Sequence, residues 1–490
     1  MIIGMNYING EWLPHRPDFP SVNPATEEEI GLFPTSTDAE INEAVAAAKK
    51  AQKSWNQLSR VKRGEYFSKL VELVKAELPD IATCIADEIG KSINECMAEI
   101  NEAIHMAEYT FGKSRTSVGD ILPSEIAGKD TFVIRKPKGV VAIVSPWNFP
   151  LAISGFWNAA PALLEGNTVV FKPSEESPAV GQYIAQLYHK AGFPEGTVNL
   201  IHGDGRVGKL LVEHRDVNHI CFTGSYAVGR EIQLTCASQG KKSCSCEMGS
   251  KSAVIVCDDA DIDMAVKACV TSAYKLSGQR CVSASRLIVD SKVIDEFTHK
   301  FIEASKAISI GRYVDNPDMG PLINEAQLNR VLHYNFLAAA DPDTTVLLSY
   351  KIYTTKGFFI TPYVYTTKWK ANESRLFLKE EVFGPHVAII PFDTLDEAIH
   401  IYNDTDFGLS VAVITNDYRK MRRIRNECDF GLGYVNLPCI GAESQVLFGG
   451  VKKSGYGGAS AAGTFESVVH KVAWTVNYDE EIKMAQGLKT

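Results

Sequence analysis

Cys281 stands in SGQRCVSASR, directly after Arg280 and close to Ser277, Gly278 and Gln279. An adjacent guanidinium favours thiolate over thiol, and the thiolate is the nucleophile of covalent catalysis. Glu247, in CEMGSKS, follows an apolar run and has the chemistry of a general base. A lone glutamate is equally at home as a solvated surface charge. Asn148, in SPWNFP, can donate an amide N–H to a developing oxyanion, or can satisfy a turn. Singly, each of the three has an ordinary packing or surface role.

Two glycine motifs compete for a phosphate. GDGRVG, from Gly203 to Gly208, matches G-x-G-x-x-G between a strand-like and a helix-like segment. Its logic is a tight turn that brings pyrophosphate to a helix N-terminus. The strand-end acid expected about twenty residues later is not evident. FTGSYAVG, ending at Gly229, also follows a strand-like run, with Gly224 and Gly229 bracketing a turn into a helix. Cys244 and Cys246 form a lone C-x-C pair with no nearby histidine, so strand packing is the expected role. No HExxH or comparable metal constellation appears, and no metal is expected.

Helical and strand-like patterns alternate over most of the 490 residues, the signature of α/β folds with largely parallel sheets. Thr37 and Glu40 have capping-box spacing, and Ile41, Ala44, Val45 and Ala48 continue at helical period. GVVAIV, NTVVFKP, TVNLIHG and HICFTG read as strands of one unit; SAVIVCDDAD, SRLIVD, VAIIPF and VAVIT read as strands of a second. The run VVHKVAWTVNY near the C-terminus is strand-like and suited to a sheet edge or to another subunit. Residues 139–164 carry no charge, a stretch long enough to span a bilayer, but three prolines and two asparagines interrupt them. A buried strand, turn and helix is expected there, not a membrane span. The net charge of -9 disfavours nucleic acid as the main partner. Eleven cysteines without a secretory signal read as reduced thiols in a cytosol-like, cytoplasmic compartment.

The motifs SPWNFP, FKPSEESP, FTGSYAVG, EMGSK, GQRC, EEVFGP and LFGGVKKSG follow one another in this order. Together they resemble the aldehyde dehydrogenase superfamily over essentially the whole chain. The resemblance implies a Rossmann-like cofactor domain (1–120 and 140–246), an α/β catalytic domain (247–445) and a small β oligomerisation element (121–139 and 471–490). It implies that Cys281 is the nucleophile, Glu247 the general base and Asn148 the oxyanion donor. Lys172 and Glu175 would contact the adenosine ribose, and Gly224 and Ser225 the pyrophosphate. Trp147 would lie near the phosphates, and Glu381 and Phe383 against the nicotinamide ribose and ring. NAD is the expected cofactor, with NADP possible, because a carboxylate at Glu175 repels a 2′-phosphate.

GQRC and IGAE (Ile440 to Glu443) look like the branch that oxidises semialdehydes bearing a carboxylate, with Arg280 and Ser283 on the substrate side. A small-molecule aldehyde substrate and a homodimer or homotetramer are expected. A coenzyme A-acylating relative and a non-catalytic relative are the alternatives; retention of Glu247 speaks against the first, and retention of all three candidate residues against the second. An alcohol dehydrogenase would explain GDGRVG but none of the other motifs. Three departures from the family pattern stand out. Ser250 occupies the second glycine position of the usual E-L-G-G-K, Leu447 replaces the proline of PFGG, and GYGGASAAG lacks the usual arginine and glutamate.

Overall fold

Short apolar runs bounded by turns have no solvent face to offer, so they assemble side by side with helices on either face. In the computed structural model, which describes residues 1–486 apart from 15, 17, 354, 355 and 371, they form two such sheets. The first has eight strands in the order Gly455–Tyr456, Ser243–Glu247, His219–Thr223, Val140–Val144, Thr168–Lys172, Val198–Leu200, Asn6–Ile8 and Glu11–Leu13. Its five central strands are parallel. The second has seven: Thr344–Leu348, Tyr363–Thr367, His386–Phe392, Arg286–Asp290, Ala253–Val256, Ser410–Ile414 and Leu432–Val435. All are parallel except Thr344–Leu348. The eight strands read for the two units fall in these sheets.

The connectivity of the first sheet decides where a ligand can sit. From Val140–Val144 the chain steps outward through Thr168–Lys172 and Val198–Leu200, then returns to His219–Thr223 on the opposite side. Order therefore reverses between Val140–Val144 and His219–Thr223. In open α/β sheets the crevice outside the carboxyl ends at such a switch point is the binding place. SPWNFP and TGS leave the sheet at those ends. The two sheets are joined by residues 248–252, a five-residue passage from Glu247 into Ala253–Val256.

The helix Asp38–Gln57 starts with the expected capping box: the Thr37 side chain accepts from Glu40 N–H, and Glu40 returns the bond to Thr37 N–H at 2.8 Å. After Val144 comes a turn, then a π-helix over Ala152–Asn158 and an α-helix over Ala159–Leu164, both helices buried. Among the described residues no helix is long and apolar enough to cross a membrane. Cys244 and Cys246 are buried in the strand Ser243–Glu247. Near the C-terminus, Val469–Asn477 pairs antiparallel along all nine residues with Lys129–Pro137, which also pairs with Gly119–Leu122. These three strands form a separate sheet.

Candidate active site

A cavity of about 790 Å³ opens at the switch point and reaches Cys281. Its lining includes Asn148, Cys281 and every residue expected on the cofactor side: Trp147, Lys172, Glu175, Gly224, Ser225, Glu381 and Phe383. Glu247, Arg280 and Ser283 are not part of that lining. At one end the buried Lys172 ammonium donates to Pro173 O and Gly203 O at 2.7 and 2.6 Å, with the half-exposed Glu175 carboxylate at 3.5 Å. Burial lowers the Lys172 pKa, with the Glu175 charge opposing the shift.

The two glycine motifs now separate on hydrogen bonding. GDGRVG opens the helix Gly205–Glu213, but the Asp204 carboxylate already accepts from Arg206 and Val207 N–H there. A fixed anion at that N-terminus repels a second one. FTGSYAVG opens Tyr226–Gln239 with a neutral cap, the Ser225 hydroxyl, which accepts from Val228 N–H at 3.4 Å. That terminus has the free positive field a phosphate requires.

The other end of the cavity is shaped by EEVFGP. Phe383 takes a left-handed φ of 62° and meets Trp147 edge-on at 5.6 Å. Gln327 fixes it by donating to Val382 O and Phe383 O at 3.0 and 2.7 Å. Glu381 accepts the Ser250 N–H at 2.8 Å, and burial pushes its pKa up to about 7.

Cys281 follows a strained turn. Leu276, Ser277 and Gly278 all have positive φ, of 54°, 55° and 73°. Such conformations cost free energy and persist only where neighbours over-determine them. Here Leu276 N–H donates to Glu95 at 2.7 Å, Ser277 Oγ donates to Gly320 O at 2.7 Å, and Gln279 accepts Ile323 N–H at 3.0 Å. Asn148 Nδ2 donates to Gln279 O at 2.9 Å, which seats the amide against the turn before Cys281 and uses one of its two N–H donors. Burial pushes the Cys281 thiol up to about 12, helped by the carboxylates of Glu381 and Glu247. Arg280 acts in the thiolate-favouring direction that its position in the sequence suggests, but more weakly.

Arg280 points toward the helix Ile93–Lys113. Its Nη2 lies 3.3 Å from Glu95 Oε1, its guanidinium packs 5.0 Å from the Phe149 ring, and Nε has no partner among the described residues. Ser283 accepts the Arg280 backbone N–H at 3.3 Å, so its oxygen serves the turn itself. Glu95, Glu99 and Glu102 share one face of that helix at helical spacing, a feature the sequence reading missed. Glu99 pairs with Lys91 and accepts Leu151 and Ala152 N–H at 2.8 and 3.1 Å. Burial raises Glu102 to about 7, with the Arg280 charge opposing.

Glu247 ends its strand with both carboxylate oxygens buried and unpartnered among the described residues. Burial raises its pKa well above the ordinary carboxylate range, while the backbone N–H groups of Gly450 and Ser460 act weakly the other way. LFGG is its wall: a Cβ on Gly449 would sit 2.9 Å from Glu247 Oε1. Among the described residues no cluster of His, Cys, Asp and Glu could hold a metal ion.

Residues 12–472 match the model of the aldehyde dehydrogenase family. The chain is 36% identical over 458 residues to an alpha-ketoglutaric semialdehyde dehydrogenase of Bacillus subtilis, covering 92% of this chain and 93% of that protein. Among solved structures, lactaldehyde dehydrogenase from Escherichia coli superposes with a TM-score of 0.92 at 32% identity, over 97% of this chain and 99% of that one. A 1-pyrroline-5-carboxylate dehydrogenase from Thermus with bound NAD superposes with a TM-score of 0.90 at 31% identity, over 97% and 93% of the two chains.

Proposed function

Because the chain belongs to the aldehyde dehydrogenase family, we propose that it oxidises a semialdehyde carrying a distal carboxylate to the corresponding acid, with NAD as hydride acceptor. The observation that carries this reading is the single cavity that joins Cys281 and Asn148 to Lys172, Glu175 and Ser225. A dinucleotide fits the donor set. The neutral Ser225-capped helix end suits a pyrophosphate, and Glu175 suits ribose hydroxyls while disfavouring a 2′-phosphate. The NAD-bound relative agrees with that assignment.

Cys281 loses its proton and adds to the aldehyde carbon, and the oxygen takes up the negative charge. Asn148 and the Cys281 backbone N–H donate to that oxygen. Bound NAD supplies an acceptor for the hydride that leaves the adduct, so the acyl group remains on Cys281 as a thioester. Glu247 then takes a proton from water as it attacks the thioester. The acid departs and the thiol is restored. A base whose pKa is raised by burial is a stronger proton acceptor once ionised, and its retention favours water over coenzyme A as the acceptor of the acyl group.

Arg280 is the proposed anchor for the distal carboxylate. Glu95 engages one of its five N–H donors, and a planar fork keeps others for a second carboxylate. The name of the Bacillus subtilis relative supports a semialdehyde of this kind. The test compares specificity constants for semialdehydes and neutral aldehydes of equal length, in the native protein and in Arg280→Ala. The charged substrate is expected to lose about 10- to 100-fold more than the neutral one, the worth of a charge-assisted hydrogen-bonded pair. Equal losses would remove Arg280 as the anchor.

A further inference from the structure

Ser250 lies in the middle of the passage between the two sheets and is buried. Three parts of the site meet at this one residue. Its N–H donates to Glu381 Oε1 at 2.8 Å, its Oγ is hydrogen-bonded to Cys281 O, and its Oγ also lies 2.8 Å from Ser252 Oγ. A fourth contact runs from Ser252 N–H to Ser250 Oγ at 3.3 Å. Counting protons fixes the direction of this network. A carbonyl oxygen only accepts, so the single Ser250 hydroxyl proton goes to Cys281 O. The two lone pairs of Ser250 Oγ are then left for Ser252 N–H and Ser252 O–H. The chain runs Ser252 O–H to Ser250 O–H to Cys281 carbonyl, each bond polarising the next.

A glycine at this position would keep the N–H to Glu381 and lose the bond to Cys281. The hydroxyl therefore does something separable from the backbone. Cys281 follows a turn of three consecutive left-handed residues; the chain before it is held through Gln279 and Asn148, and the chain after it by Ser283 N–H on Arg280 O and Cys439 Sγ on Val282 O. Ser250 restrains the carbonyl of Cys281 itself.

We propose that the Ser250 hydroxyl is a positioning group for the nucleophile, holding the Cys281 backbone so that Sγ and the Cys281 N–H face the same carbonyl. The inference rests on Cys281 being the nucleophile, as proposed above. It places Ser250 in service of adduct formation and hydride loss, before the step that needs Glu247.

The test is Ser250→Ala, with Ser250→Gly beside it, in the full-length protein. Both keep the N–H to Glu381. The readouts are the burst rate of reduced NAD on rapid mixing, the later steady-state rate, the NAD dissociation constant and the thermal midpoint. Loss of one buried hydrogen bond corresponds to about tenfold. The burst is expected to slow by about that factor in both variants. NAD binding should hold within about twofold, and Ser250→Thr, which restores a hydroxyl, should recover the burst. A burst at the native rate in Ser250→Ala overturns the proposal. So does a parallel fall in burst, steady state and NAD affinity with a lowered thermal midpoint, which marks a structural role. Cys281→Ala, run alongside, separates the two levels: if it turns over, the proposed function itself fails, whatever Ser250 does.

Discussion

At Cys281 the thiol is held back from ionising, and reactivity has to come from what binds beside it. Burial and the carboxylates of Glu381 and Glu247 raise its pKa to about 12, more than Arg280 lowers it. A group with a raised pKa stays protonated below that value, so its thiolate fraction grows about tenfold per pH unit on approach from below. The rate of Cys281 alkylation by iodoacetamide, without cofactor, should therefore climb through pH 7 to 10 without levelling off. A plateau near pH 8 would mean a thiolate already formed at neutral pH. Glu247 carries the same sign of shift, because burial desolvates its carboxylate more than the backbone N–H groups of Gly450 and Ser460 compensate. This fits a site whose electrostatics are completed by substrate and cofactor rather than preset by the chain alone.

The turn before Cys281 is the element on which the geometry depends most. Gly278 has a φ of 73°, and a Cβ there would lie 2.5 Å from Gly384 O, a backbone atom that cannot swing aside. Gly278→Ala is expected to cost about 1–3 kcal/mol from left-handed strain alone, with the clash added, and to lower turnover at least about tenfold. Denaturation midpoint and steady-state rate measured together would check it, and an unchanged pair would show that the turn is not strained. Little of this turn is legible in KLSG, because Leu276 and Ser277 are residue types that do not announce positive φ. The parallel strands were legible, since continuous apolar runs between turn residues admit few other fates. GDGRVG shows the opposite case. As a string it fits a phosphate loop but for the missing strand-end acid, and the Asp204 carboxylate bonded across its helix end adds the argument the string does not show. The stripe Glu95, Glu99 and Glu102 reads from periodicity as a solvated face. Glu95 and Glu99 are buried instead because Arg280, Lys91 and the backbone N–H groups of Leu151, Ala152 and Leu276 supply their partners.

On the scale of the whole molecule, the two large sheets are joined by residues 248–252, so Glu247, Ser250 and the turn before Cys281 sit where both contribute. The third sheet stands apart, and its strand Val469–Asn477 is an edge with one side of its backbone unpaired by any described strand. Such an edge invites pairing with another chain. Exposed Ile121 and Trp474 add apolar area on the same sheet. Self-association through it is proposed, and Trp474→Glu should lower the mass found by light scattering. An unchanged mass would move the interface elsewhere. The central claim is that oxidation passes through a thioester on Cys281 that Glu247 helps water to cleave. It is tested most directly by mixing Glu247→Gln with NAD and substrate and measuring the mass of the peptide that carries Cys281. The expected result is a stoichiometric burst of reduced NAD, steady turnover down by about 100-fold or more, and the acyl group found on Cys281. A mutant that shows no burst and an unmodified Cys281 peptide would contradict it.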